Sequence, residues 1–287
     1  MRRSRIPAEV ASVLEGSFRK FESELARTSA RQGADEVHDV RVSIRRLEQA
    51  LALFGRWLPR AASAAVASRI KQVLERAGDV RDRDIALHLI VHLELDVDPS
   101  IRPVLESGRD TAALRLKAAA GKLTAPDAIG AWMTRLRLDR REPVAALAAL
   151  AAVALPGLAR AFIESGSDLA AHAKSRKRLH RFRVSAKRFR YSMEFLSNVY
   201  GPDIEDRVQT VRKVQTALGD LQDCVATRAL LREAGVPKGA LAPLRAEEKK
   251  RVRDFRELWP KLFDARAGKE WTAYLEHPHR RVARASR

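Results

Sequence analysis

One ten-residue segment occurs twice in this chain, and its recurrence limits what the chain can fold into. His38-Asp39-Val40-Arg41-Val42-Ser43-Ile44-Arg45-Arg46-Leu47 returns, 142 positions later, as His180-Arg181-Phe182-Arg183-Val184-Ser185-Ala186-Lys187-Arg188-Phe189. The histidine, the first arginine, the valine, the serine and the last arginine are identical, and Arg45 is matched by Lys187. A long-period internal repeat indicates a duplicated structural unit. The 287 residues therefore read as two repeats, 1–140 and 141–287.

Each copy lies in a stretch without glycine or proline, Ala34 to Phe54 and Leu169 to Tyr200. At about 100° per residue, Val40, Ile44, Leu47, Leu51 and Phe54 gather on one helix face. Phe182, Ala186, Phe189, Met193 and Leu196 do the same in the second copy. His38, Arg41 and Arg45 form a separate cationic stripe with Arg46 at its flank; His180, Arg183, Lys187 and Arg188 repeat it. Like charges one turn apart repel by roughly 0.7 kcal/mol per pair in water. A merely solvated face would tolerate any charged residue at each position, so the repeated order points to an anion that offsets the repulsion.

The charge balance says the same. Lys and Arg number 55 against 36 Asp and Glu, a formal net charge of +19. Such an excess suits a polyanion: nucleic acid, inorganic polyphosphate or an anionic membrane. Ala and Leu dominate and β-branched runs are scarce, which favours helices throughout, an all-α chain. Cys224 is the one cysteine, so there is no intrachain disulfide and no cysteine-based zinc site; it reads as a helix-interior residue. His88 and His92 have an i, i+4 spacing but lack a neighbouring acidic ligand pattern, and no metal or cofactor is expected. Met1 to Pro7 has no apolar signal-peptide core, and the apolar run Val144–Leu155, closed by Pro156, is too short to span a bilayer. The expected location is cytoplasmic.

Along the chain, residues 1–5 read as a frayed basic tag and Ala8–Arg31 as the first helix. The first motif helix runs from about Asp35 to Leu58, then Ala61–Ala77 and Asp79–Leu95. A loop at 96–100 caps a helix to about Gly121, and Thr124-Ala125-Pro126-Asp127 opens a shorter piece ending near Arg140. The second half starts at Pro143 with Val144–Ser165, kinked or split at Pro156-Gly157. Ser167-Asp168 caps the second motif helix, which ends near Tyr200. Asp203–Leu218, Asp220–Ala234, Ala240–Leu262 and a short turn at Gly268–Tyr274 follow, then a basic, disordered tail from His277. No strand is expected.

A second element also recurs. Lys71-Gln-Val-Leu-Glu-Arg-Ala-Gly78-Asp79-Val-Arg-Asp82 parallels Arg212-Lys-Val-Gln-Thr-Ala-Leu-Gly219-Asp220-Leu-Gln-Asp223. Each glycine reads as a helix stop and the following aspartate as the next N-cap. Asp82 and Asp223 read as acids that orient nearby arginines, in preference to a metal-holding pair.

These motifs resemble the CHAD family, the conserved histidine α-helical domain. The resemblance rests on His-x-x-Arg-Val-x-x-Arg/Lys-Arg-Leu/Phe in both halves, Arg190-Tyr191-x-x-Glu194, and Leu218-Gly-Asp-Leu-Gln-Asp223, and covers roughly residues 6–265. It implies two pseudo-symmetric helical bundles facing each other across a basic groove or pore. It also implies binding of inorganic polyphosphate and, in some members, association with polyphosphate granules. The implied contacts are His38, Arg41, Arg45, Arg46, His180, Arg183, Lys187 and Arg188, with Lys71 and Arg212 as weaker aligned positions. Lys187 keeps the charge of Arg45 without its planar fork. Glu48 stands where the second copy has Arg190, so the halves need not bind equally. The alternating Glu-x-Glu-x-Lys strands of the triphosphate-tunnel domain joined to some members are absent, which favours a stand-alone, non-catalytic module.

The residues themselves discriminate among polyanions. Polyphosphate has no bases, so its binder needs a track of guanidinium and ammonium groups and no stacking platform. Single-stranded nucleic acid binders interleave aromatics; here Phe182 and Phe189 are on the core face and only Tyr191 comes near the stripe. Nucleic-acid binding is the alternative, and phosphotransfer or phosphate hydrolysis a further one, although no nucleotide motif is present. A protonated histidine donates from both ring nitrogens, so binding should tighten as pH falls from 8 to 6.

Overall fold

The computed structural model describes residues 5–124, 127–172 and 175–278. The N-terminal residues 1–4, Pro126 and the tail from 279 onward, to which the sequence assigns a frayed tag, a helix start and disorder, lie outside the described residues.

The helix order repeats. In the first half come α1 (Ala8–Ala30), α2 (Ala34–Leu53), α3 (Arg60–His92), α4 (Ile101–Gly121) and the short α5 (Ala128–Arg135). In the second come α6 (Leu147–His172), α7 (Arg176–Phe195), α8 (Asp203–Glu233), α9 (Ala242–Leu262) and α10 (Ala265–Glu276). The motif helices α2 and α7 are both 20 residues long, and α4 and α9 are both 21. Each motif helix is followed by one 3₁₀ turn, Gly55–Trp57 or Ser197–Val199, before the long helix that comes next. The single departure from an all-helical chain among the described residues is a two-residue parallel pairing, β1 (Ile6–Pro7) with β2 (Arg141–Glu142), closed by the Ile6 N–H donating to the Arg140 carbonyl at 2.9 Å.

Two compact units result, and they do not follow the halves of the repeat. One comprises residues 1–143 with 222–249; the other comprises 144–221 with 250–287. Helices α8 and α9 are therefore each divided between units.

In the first unit α1, α2, α3 and α4 pack in a ring, each against the next, with α4 returning to α1. Phe18, Phe21, Leu25, Val40, Ile44, Leu47, Phe54 and Ile70 are fully buried there, which includes the apolar stripe read from α2. A further apolar cluster joins Ala86, Ile101 and Leu105 to Cys224, Leu231, Leu241 and Leu244 from the inserted segment. That segment turns at Gly235, whose φ of +88° closes α8: Val236 donates to the Leu231 carbonyl at 2.9 Å.

The second unit has an aromatic core. Phe162 lies 5.2 Å from Phe182, 5.4 Å from Phe189 and 5.4 Å from Trp259 between ring centroids, and Trp259 stacks on Phe263 at 4.5 Å. Tyr200 donates to the Leu275 carbonyl at 2.7 Å, and burial followed by the neighbouring Tyr274 pushes its hydroxyl pKa upward.

Several boundaries depart from the sequence reading; at the C-terminal end a 12-residue helix, α10, stands where a short turn at Gly268–Tyr274 is expected, its N-terminus capped by Asp264. Helix α3 runs unbroken through Gly78-Asp79, and α8 through Gly219-Asp220. A helical glycine costs about 1 kcal/mol. Val66, Ile70, Val73, Ala77, Val80 and Ala86 are buried along α3 on both sides of Gly78, and their burial outweighs it. Helix α6 likewise continues through Pro156, where Leu155, Pro156, Ala159, Phe162 and Leu169 are buried in succession. Ser167-Asp168 therefore lies inside α6, and the N-cap of α7 is Ser175, which accepts from the Arg178 N–H. Within the 26-residue α6 an 18-residue stretch has a mean hydropathy of 1.6, enough by length and composition for a membrane span, a criterion that core helices of soluble proteins also meet.

Candidate functional site

Both motif helices use the same internal hydrogen bond. Ser43 donates to the Val40 carbonyl at 2.8 Å, and Ser185 to the Phe182 carbonyl at 2.8 Å. The repeated serine is thus satisfied within its own helix, and the cations around it carry the outward chemistry.

On α2, His38 is exposed, and Arg41, Arg45 and Arg46 are half-buried. The Arg41 guanidinium crosses to α3 and donates to the Leu74 carbonyl at 3.2 Å. It rests against Gly78, where a Cβ would come within 3.0 Å of its Nη1. This close approach explains the glycine better than a helix stop does. Asp82, one turn further along α3, has its carboxyl raised above the ordinary value although its edge is exposed. Loss of hydration is the largest cause, opposed next by the attraction of Arg41 and assisted by repulsion from Asp79. The carboxylate of Asp82 thus feels the charge of Arg41, while the guanidinium itself rests against Gly78. Lys71 lies on the same side of α3, exposed and 3.7 Å from Glu75. Arg45 has no acidic or hydrogen-bonding partner among the described residues.

His38 has a neighbour that its counterpart lacks. Its Nδ1 is 3.2 Å from Asp39, Asp39 is 3.3 Å from Arg27 on α1, and Arg27 is 2.7 Å from the buried Glu24, which also holds Lys20 at 2.6 Å. The second copy has Arg181 in place of Asp39. The two faces are therefore unlike in local charge, a difference legible in the aligned motifs.

On α7, His180 and Arg188 are exposed and Arg183 and Lys187 are half-buried. Arg188 has no acidic or hydrogen-bonding side-chain partner among the described residues. Arg190 is committed internally: it donates to Gln215 at 2.7 Å and to Glu194 at 2.6 Å, with its guanidinium 4.6 Å above the Tyr191 ring. Arg212 is exposed and 3.9 Å from the same Glu194, the weakest of the aligned positions. Tyr191, the one aromatic residue the sequence places near the stripe, is 3% exposed. With Phe182 and Phe189 also in the core, the aromatics of α7 are turned inward.

Other residues singled out in the sequence are placed as follows. Cys224 is buried. His88 and His92 are exposed and stack on each other at 5.5 Å, and among the described residues no group of three potential metal ligands forms. Asp220 is 3.3 Å from Arg251.

The model of the CHAD domain family matches residues 12–232. A crystal structure of the CHAD domain from the plant Ricinus communis superposes with a TM-score of 0.64 at 21% identity, covering 96% of this chain and 93% of that one. PptA from Streptomyces chartreusis superposes with a TM-score of 0.60 at 18% identity, covering 90% of this chain and 99% of that one. At these identities the likeness is one of fold. No curated protein sequence matches the chain.

Proposed function

The chain belongs to the CHAD domain family, which is associated with polyphosphate, and on that footing we propose that it binds inorganic polyphosphate without catalysis, through the cationic faces of α2 and α7. The observation that carries the reading is the repeated order of outward cations on two helices, of which α2 contains no Phe, Tyr or Trp and α7 buries each of its own. Guanidinium and ammonium groups suit phosphate oxygens whether or not bases are attached. A single-stranded nucleic acid would gain little further here, because these faces expose no Phe, Tyr or Trp ring for stacking. Arg45 and Arg188 support the reading most directly, since neither is neutralised by a neighbour among the described residues. Targeting to polyphosphate granules in the cytoplasm is the cellular role proposed with it.

The test is competition. Long-chain polyphosphate should displace the full chain from duplex DNA at far lower phosphate concentration than DNA needs to displace it from polyphosphate. Equal potency per phosphate would replace the proposal with general polyanion attraction. Release of orthophosphate or shortening of the polymer during incubation would replace the non-catalytic part with an enzymatic one.

Gly78 separates stability from binding. Gly78→Ala should stabilise the first unit by about 1 kcal/mol through helix propensity, while its methyl pushes the flexible Arg41 guanidinium off the Leu74 carbonyl. Thermal denaturation should therefore move up as polyphosphate affinity falls about three-fold. Unchanged affinity would mean that the resting position of Arg41 does not matter to binding.

A further inference from the structure

Helix α3 has a second basic side. Arg69 and Arg76 lie roughly opposite Lys71, Leu74 and Gly78 around the helix, and they face α4 and α5 instead of α2. Two adjoining cavities open there, of 330 and 370 Å³, sharing Arg69, Lys122 and Leu123 as walls. The first is lined by Arg69, Arg76, Arg115 and Lys122, with Glu75 as its single acid. The second is lined by Trp132 and by Ala62, Ala65, Ala128 and Ala131 of α3 and α5, with Arg135 also in its wall. Arg69, Arg115, Lys122 and Arg135 have no acidic partner among the described residues, and Arg76 reaches Asp79 only at 4.0 Å.

A cleft lined by cations without close acidic partners in one cavity and by an indole and alanines in the next is amphiphilic. Each cavity is within the roughly 300–1,000 Å³ range of small-molecule sites. The cations suit two or three phosphate groups. The indole and the alanine wall suit a planar ring, which stacks on tryptophan and slides against methyl groups. A base-free phosphate chain would use only the first cavity.

We propose that the α3–α4–α5 cleft is a second, separate anion site that takes a phosphate ester bearing a planar aromatic group, of the nucleoside di- or triphosphate class. It is distinct from the α2 and α7 faces in both residues and ligand chemistry. The probe is adenosine diphosphate, titrated calorimetrically into the full chain in which Arg41, Arg45, Arg183 and Arg188 are alanine, so that the motif faces contribute little. Binding should persist in that background. Adding Arg69→Ala, Arg115→Ala and Lys122→Ala should weaken it about 100-fold, since each removes a charge-assisted contact. All three side chains are exposed, so circular dichroism should show an intact fold. Trp132→Ala should weaken adenosine diphosphate about ten-fold and leave inorganic tripolyphosphate unchanged, and Trp132→Phe should restore most of the loss. Three results would overturn the proposal: no binding at millimolar ligand, binding unaffected by the three cation substitutions, or equal losses for adenosine diphosphate and tripolyphosphate on removing the indole. None of these bears on polyphosphate binding by the motif faces, which is measured separately in the otherwise unaltered chain.

Discussion

Replacing Arg41, Arg45, Arg183 and Arg188 with alanine together lowers the affinity for long-chain polyphosphate by about three orders of magnitude. Four charge-assisted hydrogen bonds of about 1 kcal/mol each sum to roughly 4 kcal/mol, and 1.4 kcal/mol is a factor of ten. The salt dependence changes in step: the log–log slope falls by about 0.7 for each arginine removed, if the value for single-stranded nucleic acids carries over. The comparison that matters is a control with equal reduction of charge. Arg102, Arg232, Arg253 and Arg266 are exposed and lie off both motif faces; replacing them removes the same four charges and should weaken binding about ten-fold at most. Fluorescence anisotropy with labelled polyphosphate, run across a salt series, distinguishes the two. Equal weakening would show that net charge attracts the polymer and that the repeated motif is not its site.

The second large effect is on the fold. Gly166→Ala should destabilise the second unit by about 2 kcal/mol. A methyl at Gly166 would overlap the six-membered ring of Trp259. That ring is poorly placed to retreat: it stacks on Phe263, meets Phe162 and Phe182 edge-on, and donates through its indole N–H to Ser167 at 3.1 Å. Overpacking of this kind costs about 3 kcal/mol, and the gain in helix propensity returns about 1 kcal/mol. Gly157→Ala in the same helix meets nothing within 4 Å and should stabilise instead. Thermal denaturation followed by circular dichroism reads both. If Trp259 is the obstacle, Gly166→Ala with Trp259→Phe should lose less than the sum of the single variants; additive losses would place the strain elsewhere.

The apolar stripes of α2 and α7 were legible in the sequence because a period of 3.6 residues can be read from either motif alone. Val40, Ile44, Leu47 and Phe54 are fully buried, and so are Ala186 and Met193. The punctuation was not. Gly78, Pro156 and Gly219 look like breaks because their local penalties of about 1–3 kcal/mol are visible in the sequence. The burial that overrides them comes from residues distant in the chain, which no window contains. The same holds for the second role of Gly78, whose reason is Arg41 on the preceding helix. The cation order of the candidate faces was readable; which cations are already held was not. The spacing of Arg190 to Glu194 is visible as i, i+4, but the hold of Gln215 on Arg190, from the next helix, is not. The amphiphilic cleft left no signal at all, since Arg69, Arg115 and Trp132 come from three helices and follow no spacing.

The division of α8 and α9 between units makes one copy of the repeat depend on the other. Leu231, Leu241 and Leu244 complete an apolar cluster with Ala86, Ile101 and Leu105, so the later copy of the repeat supplies part of the interior of the earlier one. A protein cut after Pro143 would leave Ala86, Ile101 and Leu105 without their cover, so the first copy alone is expected to expose an apolar patch and to fold only with the second.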